Sequence, residues 1–343
     1  MSKFLLLLFF GLWVKPVYSQ GPRLPEPADT LPALRALPPQ LRAYAATSAL
    51  LDATLTSLNS LNSLIKKENY RNRISSFNNP ASSDLGFSLE AEIQTALRPI
   101  LSKVRQHPPE RISGVISSLI GSGRSPAPVA GLFPAIAGFV GNLTIQEKRV
   151  TRNDLDTFLL VMSRYFSQYE KLHTANQRFE EQIERLNRRL LELQFDIREY
   201  ALDLVQLLHA GTRRNNLRDR NLEELLLQYL DLSEMNQHDS LLRRLPPFPA
   251  DAVKGAKDIC NMVQKLFREY QKIYQDNYTE IRTILQGCRS LARNGTTQLD
   301  QSLRDLEELY QQSAQADVLN LRLSTLQGRL QALVQATRSF AGG

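Results

Sequence analysis

The chain has 343 residues, with 42 basic against 35 acidic side chains for a formal charge of +7, 42% hydrophobic residues, one tryptophan and two cysteines. So mild a basic excess serves solubility or an acidic surface and names no partner. Two cysteines exclude a disulfide scaffold.

Lys3, the apolar run Phe4 to Val14 and the small-residue exit at Ser19 have the order of a secretory leader, with cleavage expected after Ser19. The apolar run is too short to cross a bilayer of roughly 30 Å at about 1.5 Å per residue. The expectation is a secreted or periplasmic protein, for which no nucleic-acid partner is expected. Residues 20–39 carry Pro22, Pro25, Pro27, Pro32, Pro38 and Pro39 and read as an extended tail.

Residues 40–150 read as a smaller N-terminal helical region. An amphipathic helix is expected from Leu41 to Lys67, buried along Leu41, Tyr44, Ser48, Leu51, Leu55 and Leu58, followed by a polar loop from Asn69 to Gly86. Shorter helices are expected at Ser88 to Gln106 and Glu110 to Leu119. The stretch Ala127 to Leu143 carries no charge but holds Pro128, Gly131, Pro134, Gly138 and Gly141. Its glycines and prolines argue against a single helix and its apolarity against a solvated loop, so Leu132, Phe133, Ile136, Phe139 and Val140 are expected to enter either the bundle core or a membrane.

Residues 151–343 read as long helices. Thr151 and Asp154 have the spacing of a capping box, and the helix they open is expected to run to Gly211, a length of roughly 90 Å. Two interleaved heptad sets mark its seam: Leu155, Met162, Tyr169, Asn176, Ile183, Leu190, Ile197, Leu204, and Phe158, Tyr165, Leu172, Phe179, Leu186, Leu193, Tyr200, Leu207. Only Asn176 is polar, and the steps of three and four are those of a coiled coil. The flanks are apolar at both ends of the seam but polar in its middle (His173, Glu180, Gln182, Asn187, Arg189, Gln194, Asp196), so the ends should meet several helices and the middle about one. The flanking positions do not form the opposite-charge pairs of a parallel dimer, which favours folding back within the chain.

A helix from Leu217 reaches at least Leu232. A second long helix runs from Asp251 to Asn294, and a third from Thr297 to Phe340 loses phase between Ser313 and Asp317. The second carries polar seam residues at Asn277 and Glu280. Pairing them in one layer with Asn176 predicts an antiparallel register and gives the buried amide a partner, without which it would cost about 1–3 kcal/mol. The fold expected is all-α, an elongated antiparallel helical bundle or coiled coil with a smaller N-terminal helical region.

Chemistry is sparse. His107, His173, His209 and His238 are scattered without metal-ligand spacing. Gly121-Ser122-Gly123 lacks the lysine of a phosphate loop, and no nucleophile elbow occurs. Cys260 and Cys288 on one straight helix would lie about 42 Å apart, beyond the ~7 Å limit for a bridge, leaving buried thiols or an intermolecular bond. Basic groups cluster at Lys66, Lys67, Arg71 and Arg73 and at Arg213, Arg214, Arg218 and Arg220, either as solvated helix ends or for an anionic surface. Sequons stand at Asn142, Asn277 and Asn294.

No enzyme, cofactor or metal is expected. The leading expectation is an extracytoplasmic coiled-coil scaffold or binding protein, monomeric or self-associating through its helices, acting on a protein partner. The alternative is a membrane-active protein inserting residues 127–143. In layout, though in no motif, an uncharged segment between helices of a secreted chain resembles the secreted α-helical pore-forming toxins.

Overall fold

A computed structural model of the chain describes residues 37–104, 132–146, 149–209, 211–230, 245–292 and 295–341. The leader, most of the Pro-rich tail, the expected helix at Glu110 to Leu119, and residues 127–131 of the uncharged stretch lie outside these residues. The described helices are α1 (Pro39–Ile65), α2 (Asn69–Ser76), α3 (Leu89–Leu101), α4 (Leu132–Gln146), α5 (Arg152–Leu208), α6 (Arg214–Leu217), α7 (Leu222–Tyr229), α8 (Ala250–Cys288), α9 (Thr296–Ala314) and α10 (Ala316–Ala341).

Helix α5 is 57 residues long, about 86 Å. It opens on a complete capping box: the Thr151 hydroxyl accepts from the Asp154 N–H, and the Asp154 carboxylate accepts from the Thr151 N–H. Lys103 adds an ion pair to Asp154 at 2.7 Å. These donors hold the Asp154 carboxyl down at about 2, the Lys103 bond first and the Thr151 bonds next.

Helix α8 lies antiparallel to α5. Arg178 pairs with Glu280 at 3.0 Å, Arg189 with Glu269, and the Tyr200 hydroxyl donates to the Ala252 carbonyl at 2.7 Å, so residue numbers fall on one helix as they rise on the other. Two further walls complete the bundle, each made of successive helices. One is α1, which starts beside Pro246 and Phe248, followed by α2 and then α3. The other is α9, which runs back along α8 with the Tyr270 hydroxyl on the Ser313 carbonyl at 2.7 Å, followed by α10, which packs along α1. The left-handed Gln315, at φ 36°, ends α9 where the apolar phase slips and lets α10 start in a new one.

The pairing of α1 with α10 corrects the expected elongated coiled coil with its smaller N-terminal region. Helices from both ends of the described chain close over α5 and α8, and one continuous core runs from Ala43 to Leu333. The molecule is a packed globular all-α bundle. The coiled-coil scaffold expected as its function is corrected with it, because the heptad seam of α5 serves intramolecular packing.

The reason lies in the small residues of α1. Ala43, Ala46, Thr47, Thr54 and Ser57 are buried beside its leucines. Thr47, Thr54 and Ser57 each donate to the carbonyl four residues back at 2.7–2.8 Å, which removes the cost of burying a hydroxyl. Helix α1 is thereby buried on a much wider face than one amphipathic stripe.

Three local expectations also change. The polar stretch after Asn69 begins as helix α2, because Tyr70, Ile74 and Phe77 fall on one helical face and are buried. The expected helix at Leu217 is broken into α6 and α7, with Asn221 capping α7 through a 2.8 Å bond from the Glu224 N–H. The uncharged stretch forms a helix from Leu132 despite Pro134, which sits in the first turn where its missing N–H breaks no helical bond.

Candidate functional site

The expected register residues meet in a polar layer across the bundle. Asn277 is 4% exposed. Its amide donates to the Ala175 carbonyl at 3.3 Å and its oxygen accepts from the Tyr70 hydroxyl at 2.8 Å. Asn176 donates to the Ile74 carbonyl at 2.8 Å rather than to α8, and Glu280 stands at the rim, paired with Arg178. Helix α2 thus supplies partners to both amides. Phe179 and Tyr274 pack against Tyr70, with ring centroids 5.7 and 5.3 Å away, and burial raises the pKa values of Tyr70, Tyr270 and Tyr274. These phenols are neutral packing groups, fully buried in the core.

In α4, Ile136 and Val140 are fully buried, the Phe133 ring packs tilted against Phe166 of α5 with centroids 4.8 Å apart, and Phe139 packs against the same core. Leu132 opens the helix. The expectation of a membrane-inserting segment is corrected: the described part of the stretch is folded down on α5. No helix among the described residues is long and apolar enough to cross a membrane.

The basic clusters are partly occupied within the chain. Arg71 pairs with Glu180, Arg73 with Asp84 at 3.1 Å and Asp305 at 3.2 Å, and Arg214 with Glu199 and Asp203, both at 2.7 Å. Among the described residues no group of three His, Cys, Asp or Glu could hold a metal ion. Cys260 and Cys288 are buried free thiols, pushed up by that burial to about 11 and about 12 and therefore protonated at neutral pH.

The feature that sequence reasoning missed is the outer face of α5. Phe166 and Leu202 are about ten turns apart and share one line along the helix. At the first end α4 covers this line; at the other, α6 and α7 cover it and bury Leu202 and Val205. Arg198 anchors that second cover by donating from Nε to the Arg220 carbonyl at 2.8 Å. Between the covers the line is bare. Leu191 and Phe195, one turn apart and close to it, are 56% and 59% exposed. Their signal in the sequence was simple: two bulky apolar residues outside both heptad sets.

A groove flanks the bare stretch on each side. Toward α8, a volume of about 750 Å³ is lined by Arg185, Arg188, Arg189 and Lys272 with Glu192, Glu269 and Asp276. Toward α1 and α2, about 790 Å³ is lined by Glu68, Glu180, Glu181 and Glu184 with Lys66 and Arg71. The two grooves carry opposite excess charge. Compared with known proteins, the chain matches no family model, no curated protein and no solved structure.

Proposed function

We propose that this protein is a non-catalytic binding protein that presents the middle of α5 to another protein. The observation that carries the reading is the interrupted cover: Phe166 under α4 and Leu202 under α6 and α7 are buried, while Leu191 and Phe195 between them stand in solvent. Two large apolar side chains one turn apart, with charged grooves on either side of α5 over the turns just before them, have the make-up of a small interface with an apolar centre and polar surroundings. The buried thiols and neutral phenols add no reactive group at this face.

The test is photo-crosslinking from a benzophenone amino acid placed at 195 in the native cell, with the same probe at Gln327 on the exposed side of α10 as control. A discrete adduct with one protein from 195 and none from 327 is expected. Equal or absent adducts at the two positions contradict the reading.

A further inference from the structure

We infer that the occupant of this face is a single amphipathic helix with an apolar line down its centre, acidic side chains along one edge and basic side chains along the other; the inference rests on the binding reading above. Three features of the face select it. The first is shape. The covers are anchored at Phe166 and Arg198, roughly 48 Å apart along α5. A helix of about 21 residues, roughly 30 Å long, fits between them. Another bundle carrying a raised layer of its own does not, because α4 at one end and α6 with α7 at the other would hold it off.

The second feature is the apolar centre. Leu191 and Phe195 offer one turn of exposed side chain, which a helix meets with residues spaced three and four apart.

The third is charge. The α8-side groove holds four cations against three carboxylates, and its Arg189 and Glu269 are already paired. Arg185, Arg188 and Lys272 then stand against Glu192 and Asp276, none of them ion-paired among the described residues, which leaves one cation in excess. The opposite groove holds four carboxylates against two cations; with Arg71 and Glu180 paired, Glu68, Glu181 and Glu184 face the single cation Lys66. A helix lying over α5 extends one edge over each groove. Uniformly acidic or uniformly basic edges would place like charges over one of them, whereas one edge of each sign meets both.

The test uses the full chain and three fluorescein-labelled synthetic helices of about 21 residues, identical along their leucine line. The first has one glutamate edge and one lysine edge, the second two glutamate edges, the third two lysine edges; anisotropy reports binding. The mixed helix is expected to bind tightest, and to weaken about tenfold or more in Phe195→Ser and again in the double variant Arg188→Glu, Lys272→Glu. All these side chains are solvent-facing, and circular dichroism checks that the variants stay folded. If a single-sign helix binds as tightly as the mixed one and still depends on Phe195, the face is a binding site but the charge assignment is overturned. If no helix binds, or binding ignores Phe195→Ser, the inference and the proposed function both fall.

Discussion

The ends of α5 and its middle solve different problems with the same helix. Near its ends the chain lays α4 on Phe166 and α6 with α7 beside Leu202, and these two side chains become core. In the middle the helix carries Leu191 and Phe195 into solvent, following the turns that two charged grooves flank. A single heptad seam holds the helix in the bundle throughout, so the difference lies at positions outside that seam. Packing into the bundle therefore does not require this outer line, and its treatment in the middle is free to serve a partner.

The largest effect that can break this comparison belongs to a covered end. Leu202→Ala, at a residue 1% exposed, is expected to cost about 2–5 kcal/mol in denaturant unfolding. A loss close to zero would mean that α6 and α7 do not cover α5 at all. Next comes the polar layer that locks α2 against α5 and α8. Tyr70→Phe leaves the Asn277 oxygen without its 2.8 Å donor and is expected to cost about 1–3 kcal/mol, read by the same titration.

At the start of α5, acid provides a directional test. The Asp154 carboxyl sits at about 2, below its ordinary 3.8, so its contribution to stability is present above pH 4 and is lost as pH falls through the range from 4 to 2. The melting-temperature gap between the natural protein and Asp154→Asn should therefore close across that window; a constant gap contradicts the cap.

The middle should barely respond. Arg189→Gln removes a half-exposed pair with Glu269 and is expected to cost no more than about 1 kcal/mol. Phe195→Ala is expected to stay within about 0.5 kcal/mol of the natural protein, since its side chain is mostly in water. A large loss at Phe195 would show that the middle is packed like the ends.

Much of the frame was legible in residue spacing. The Thr151 and Asp154 cap, the seam from Phe158 to Leu204 and the change of phase near Gln315 can each be read from a few positions, because they depend on local backbone chemistry and a period of 3.6. The pairing of α1 with α10 was hidden, because alanine, serine and threonine carry little apolar signal and only the structure shows their hydroxyls turned back onto their own helix. Helix α2 was hidden for a related reason, its polar composition masking the spacing of Tyr70, Ile74 and Phe77. The bare face was visible in principle as Leu191 and Phe195 off the seam, yet Phe166 and Leu202 lie on the same line and are buried. Which apolar residue meets water there depends on where α4, α6 and α7 happen to lie, and no local pattern encodes that.

Phe195→Cys offers the most direct test, through thiol labelling by a maleimide in the native state with Cys260 and Cys288 as internal buried references. The account predicts no labelling of the natural protein and labelling of one thiol per chain in the variant, at the rate of an exposed cysteine. A protected Cys at 195, labelled only in denaturant together with the two native thiols, would contradict the claim that the middle of α5 is left open.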